Sequence, residues 1–343
     1  MPLTPSNGDG HIGPVRRAYE RTEELVWRAL SRILVGERWK GLPWPVRMLM
    51  KLPGFRNTIT NTMTGFTARI AVLILAILTK AFKRGARQAD TDLKLEIPGG
   101  QTLPGHIGTL VDSLRRRGTL DDSAIEQLAH QVITTLDKVH RQVPVSAEAV
   151  YRGVVNEVAR QQDRITDDAT LDQLLRQALT RYARQGFTGQ VDPQGRRYEF
   201  VSYAEMVVRS AITRAEVDGY CAHVTAAGHD LVIVSDVPGS CALCTPFEGA
   251  VISISGATTG TVEFTNSLGR PVTVTVKCSL AEARAAGLFH RNCRHTIRVW
   301  TADSPNPPGA VRLSEADRAQ RRDANSRHRR NRILQRIGFV STT

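Results

Sequence analysis

The residues of this chain best suited to chemistry are Cys241, Cys244, His290, Cys293 and His295. Cys241-x-x-Cys244 places two thiolates at one tight turn, where they can share a tetrahedral ion. Pro238-Gly239 before the pair and Pro246 after it supply that turn. Farther along comes His290-Arg-Asn-Cys293-Arg-His295. In a strand, residues two apart face the same way, so Cys293 and His295 can converge; in a turn, His290 and Cys293 can. A structural zinc needs four ligands, and five candidates compete for the places. The preferred set is Cys241, Cys244, His290 and Cys293, with His295 supporting them or serving as an alternative ligand. Mixed Cys/His donors suit zinc, and a small module gains folding energy from it. The plainer reading is a pair of free thiols at a turn and histidines that cap loops.

The remaining composition narrows the setting. The chain has 343 residues, five cysteines and a formal charge of +13. That length accommodates two or three domains. Four of the five cysteines fall between 241 and 293, which fits a reducing compartment and a metal site better than a disulfide framework. Cys278 has no second ligand at a usual spacing and reads as a packing residue, while Cys221 reads as core. The positive charge points to an anionic partner, nucleic acid or an acidic lipid surface, unless the chain is simply rich in arginine. The first residues, MPLTPSNGDG, are polar and turn-rich, without the apolar stretch of a secretory signal.

The elements that must position the cluster follow from periodicity. The expected fold class is α+β, predominantly helical, with helical N-terminal and middle regions before a small Cys/His-clamped β-rich module. Residues 1–87 form a basic helical region, interrupted at 41–55 by three prolines. Within it lies the apolar run 66–82, whose uninterrupted part, Ile70 to Leu78, is too short to span a bilayer. Its apolar side chains lie all round the helix, which predicts burial within protein rather than contact with a membrane surface. Residues 88–108 read as a linker from Pro98-Gly99-Gly100 and Pro104-Gly105. Residues 109–186 are helical. Ile125, Leu128, Val132, Leu136 and Val139 form one stripe that Pro144 ends, a second helix carries Val150, Val154 and Val158, and Thr170-x-x-Gln173 caps a third.

Residues 187–302 form the module. A hairpin turns at Asp192-Pro193-Gln194-Gly195, and Ser202-Tyr203-Ala204-Glu205 caps a long helix that ends at Gly228. Strands follow at 231–235, 250–254, 261–265, 271–276 and 295–300, with one or two helical turns at 280–286. Residues 303–343 form a basic tail or exposed helix.

The runs YAEMVVRSAITRAEVDGY, GHDLVIVSDVPGSCALCTPFEGAVISISG and GLFHRNCRHTIRVW, in that order, resemble the minor capsid protein 2 family of tailed phages, relatives of the MuF-like head-morphogenesis proteins. The quoted resemblance covers about 187–302; the first 186 residues offer no motif to match. It implies a structural virion component of low copy number, inside the head near the portal vertex and in the host cytoplasm during assembly. The partners it implies are the portal protein, major capsid or scaffold components and packaged DNA, touched without sequence preference. It implies no enzyme. The helix at 66–82 would then dock on the portal or meet a membrane.

Two other readings compete. His290, Asn292 and His295 superficially match a metal-dependent HNH-like nuclease, with Asp236 and Glu248 as further carboxylates, or a toxin-type enzyme. A catalytic metal, however, needs an open position and a base placed to activate water. A zinc-containing DNA-binding regulator would need a recognition-helix pattern, and none stands out.

Overall fold

A computed structural model of the chain describes residues 9–35, 42–96, 122–290, 293–304 and 313–341. Seven α-helices and seven strands occur among them: α1 (Asp9–Val35), α2 (Trp44–Glu96), α3 (Asp122–Ala159), α4 (Asp168–Gln185), β1 (Thr188–Val191), β2 (Arg197–Glu199), α5 (Phe200–Ala226), β3 (Leu231–Val234), β4 (Val251–Ser253), β5 (Gly260–Thr265), β6 (Pro271–Ser279), α6 (Leu280–Ala285), β7 (Ile297–Val299) and α7 (Glu315–Ser341). The fold is the predominantly helical α+β arrangement expected. It divides into two compact units, one of Gly13–Leu73, Ile133–Glu205 and Glu315–Thr343, the other of Met1–Ile12, Ile74–Val132 and Met206–Ser314.

The first unit is helical apart from the antiparallel β1–β2 hairpin. Tyr19, Phe66, His140 and Phe200 cluster at its centre, with Tyr19 edge-on to Phe66 at 4.8 Å between ring centroids. Trp27 stacks on Phe187 at 4.3 Å. His140 is buried among these rings and both of its nitrogens are engaged. Thr67 donates its hydroxyl to the Met63 carbonyl, so it accepts from Nδ1–H of His140 at 2.8 Å. Nε2 then accepts from the Tyr19 hydroxyl, also at 2.8 Å. This bonding suits only the neutral ring. Burial pulls its pKa down to about 4.

Pro144 does not end a helix. It lies inside α3, and Val150, Val154 and Val158 belong to that same helix. A mid-helix proline forfeits one backbone hydrogen bond and costs about 3 kcal/mol. Val139, Val143, Ala147 and Val150 are buried on both sides of it, so one apolar stripe runs past the proline and offsets that cost. The same holds at the start of α2, which begins at Trp44 and passes through Pro53, so the 41–55 interruption covers only its first residues.

Helix α2 also continues to Glu96, so the first nine residues of the expected linker, 88–96, are helical; 97–108 lie outside the described residues. Its 66–82 stretch is buried on one side only. Phe66, Ile70, Ile74, Leu78 and Ala81 are buried, but Val72 is 72% exposed and Leu75 is 39% exposed. Ile77 and Phe82 are buried as well, so most of the apolar side chains are covered along one side of the helix, and Val72 and Leu75 stand on the other. By length and composition alone, α2 is apolar enough to cross a bilayer.

The second unit is built on a five-stranded mixed sheet in the order β5-β6-β4-β3-β7. The β3 pairings with β4 and β7 are antiparallel, and β4 runs parallel to β6. Every residue of β3 is buried, because Val232 and Val234 face one core while Leu231 and Ile233 face the other. Ala89 and Leu93 of α2 and Val217, Tyr220, Cys221 and Val224 of α5 fill the first core. The Tyr220 hydroxyl donates to Asp92 and accepts from the Val299 N–H, each at 2.8 Å, tying both helices to β7. Gly85 and Gly219 let the helix backbones touch. A Cβ at Gly85 would meet the Glu216 carbonyl, and one at Gly219 the Phe82 carbonyl.

Three helix starts bear on the capping patterns in the sequence. Helix α4 is capped by Asp167, whose carboxylate accepts from Thr170 N–H, not by Thr170. Helix α5 starts at Phe200, and Ser202 donates to Glu199 instead of capping. Helix α6 has a reciprocal capping box that joins Ser279 and Glu282.

Candidate metal centre

The cluster forms where two neighbouring strands meet loops. Strand β3 leads into the loop with Cys241 and Cys244, and the segment carrying Cys293 and His295 leads into β7. The pairing continues past the strand ends, as Ser235 N–H donates to the Thr296 carbonyl at 2.8 Å and Thr296 N–H to Ser235 Oγ at 2.9 Å. The antiparallel β3–β7 ladder thus brings residues distant in sequence to one edge of the sheet.

The first loop is a tight knuckle. Cys244 N–H and Thr245 N–H both donate to the Cys241 carbonyl, at 3.1 and 3.0 Å. Gly239 takes a φ of 79°, which a side chain would oppose. On the other side, Phe289 adopts a left-handed φ of 61° beside His290, and Cys293 N–H donates to the His290 carbonyl at 2.9 Å.

All five expected residues come together. Cys241, Cys244 and His290 form one set of donor atoms within 4.8 Å of one another, and Cys244, Cys293 and His295 form another. Cys244 is common to both and is fully buried. Its Sγ lies 3.6 Å from Cys293 Sγ. A tetrahedral zinc with Zn–S bonds of about 2.3 Å separates two sulfurs by roughly 3.8 Å, so this spacing fits a shared ion. Cys293 Sγ is 3.3 Å from His295 Nδ1, and Cys241 Sγ is 2.9 Å from His290 Nε2. Each set of three donors could hold a metal ion. Cys278 is outside both sets and packs against the core, and Cys221 is buried in that core, as expected of each.

The protonation pattern already favours a thiolate. A hydrogen bond from the Cys244 thiol pulls Cys293 down to about 4, with His295 acting in the same direction against burial. The same bond, with burial, pushes Cys244 up. His295 is held above its ordinary value: burial lowers it, but Cys293 and Glu248 more than compensate.

Glu248 has a part that spacing did not reveal. Its Oε1 lies 3.2 Å from His295 Nε2 and also accepts from Val237 N–H at 3.2 Å. A carboxylate on the far nitrogen is the usual support of a metal-bound histidine, fixing the ring and its tautomer. In the sequence Glu248 stood out only as a spare carboxylate for the nuclease reading, and nothing in its spacing joins it to a histidine 47 positions away. Of the nuclease triplet, Asn292 lies outside the described residues.

The model of one protein family, phage minor capsid protein 2, matches residues 3–336. This chain belongs to that family. The match reaches far beyond 187–302, through the helical half that offered no motif of its own. No curated protein and no solved structure matches the chain. Membership makes the chain a phage minor capsid protein and thus a virion component.

Proposed function

We propose that this minor capsid protein is a low-copy structural component inside the phage head, near the portal vertex, and that it catalyses no reaction. The family match over nearly the whole chain carries this reading. Its proposed partners are the portal protein, major capsid or scaffold components, and packaged DNA. The exposed Val72 and Leu75 on α2 are the side chains of the 66–82 stretch available for docking on the portal or a membrane.

The Cys/His cluster is proposed to hold a structural zinc. Such an ion clamps the loop after β3 to the segment before β7 and supplies folding energy to a small sheet edge. Cys241, Cys244 and Cys293 would contribute the thiolates. Glu248 behind His295 moves the preference for the fourth ligand from His290 to His295. Glu248 is occupied by His295 and the Val237 amide, so it is a poor candidate for activating water.

Quantitative mass spectrometry of purified virions tests the placement. A few copies of the chain per particle are expected, and a fraction of them should cross-link to the portal. Absence of the chain from the particle would refute the reading.

A further inference from the structure

Helix α7 uses arginine in two opposite ways. At its root, Arg336 is fully buried, with Nε 2.9 Å from Glu23 and Nη2 2.8 Å from Glu199. Arg332 lies 3.5 Å from both Glu199 and Glu205 and donates to Ser202. Val340, one turn beyond Arg336, is also buried. These partners all belong to the helical unit and hold the root of α7 firmly.

The preceding stretch is built differently. From Glu315 to Asn331 every side chain is exposed except Ala319, which is half-buried. A helix that is polar all round gains nothing from burial, and short helices are marginal alone in water. This one is carried by its continuity with the anchored root. It bears Arg318, Arg321, Arg322, Arg327, Arg329 and Arg330 against Glu315, Asp317 and Asp323. Among the described residues, Arg318, Arg322, Arg327, Arg329 and Arg330 have no hydrogen-bond or ion-pair partner. At 3.6 residues per turn, Arg318, Arg322 and Arg329 share one face, while Arg327 and Arg330 point to the other side.

We propose that residues 315–331 form an arm that binds duplex DNA through its phosphates without reading sequence. The unpaired charge calls for an anionic partner. Its distribution around the helix suits a major groove about 12 Å wide, where phosphates flank a bound helix on both sides. The apolar residues of the arm are only Ala316, Ala319 and Ala324, so it has no face to sink into a lipid interface. The same lack leaves no apolar centre for a protein interface. The proposal rests on the capsid reading only in making the packaged genome the duplex that is bound.

The test uses purified full-length protein and a labelled duplex of arbitrary sequence, with affinity followed by fluorescence anisotropy across a salt series. Arg318→Gln, Arg322→Gln and Arg329→Gln combined should weaken binding at least about tenfold and reduce the salt slope by roughly 2 to 3, near 0.9 for each phosphate no longer neutralised. A control with equal loss of charge, Arg69→Gln, Lys80→Gln and Lys138→Gln, should change the slope far less. The melting temperature of the arm variant should match wild type. Equal losses in arm variant and control would overturn the proposal, as would a lowered melting temperature. Strong preference for one sequence, or tighter binding to phosphatidylserine vesicles than to DNA, would overturn it too. Absence of the wild-type protein from virions would sink the capsid reading and leave the binding result standing.

Discussion

Mild acid should destabilise the helical unit through His140. In the fold this ring is buried, accepts from Tyr19 at Nε2 and donates to Thr67 from Nδ1. A second proton would break the Tyr19 bond and bury a charge. Burial holds the folded-state pKa at about 4, below the ordinary value of 6.5. The unfolded chain therefore binds the proton first as pH falls. His140 contributes its full stability above about pH 6.5 and loses it on the way down to about pH 4. Linkage sets the slope at about 1.4 kcal/mol per pH unit, so the total across this window is about 3 kcal/mol. Urea unfolding between pH 7 and pH 4.5, read by near-UV circular dichroism, measures it. Carboxylates also titrate near the lower end, so the comparison is with His140→Gln. The variant is expected to be less stable at pH 7 and to lose much less stability on acidification. Parallel pH profiles for the two proteins would refute the argument.

Three further outcomes follow from the packing and the metal centre. Gly219→Ala should cost about 1–3 kcal/mol, because its Cβ meets the Phe82 carbonyl and forces α2 and α5 apart; chemical denaturation reads it. Arg336→Met should cost about 3–5 kcal/mol by stranding Glu23 in the interior, and adding Glu23→Gln should restore much of that loss. Full-length protein should carry one zinc by elemental analysis; Cys244→Ser or Cys293→Ser should abolish it and lower the melting temperature, with His295→Asn more damaging than His290→Asn. Unchanged zinc content in both cysteine variants would remove the clamp.

Part of this molecule was legible in its residues. The strands around 231–234 and 251–253 show as short apolar runs, and those within 260–279 as period-two alternation about a turn, and these signals are local. The Cys/His cluster was equally legible as a candidate, because a knuckle spacing is a local geometric demand and cysteine is scarce elsewhere in the chain. Helix limits were less so. Pro144 and Pro53 have strong local penalties, yet each sits where buried side chains on both flanks outweigh one missing hydrogen bond. Thr170 and Ser202 match a capping pattern, but Asp167 and the packing of Phe200 begin the helices earlier.

By itself, then, the sequence determined which residue types can meet a metal, where the chain alternates or turns, and how much positive charge it must place. Only the tertiary structure decided which histidine has a carboxylate behind it, which arginines are buried against Glu23 and Glu199, and which stand in solvent. The reason is physical. Spacing along a chain fixes what local turns can bring together, whereas Glu248 and His295, or Glu23 and Arg336, meet only because strands and helices far apart in sequence pack side by side.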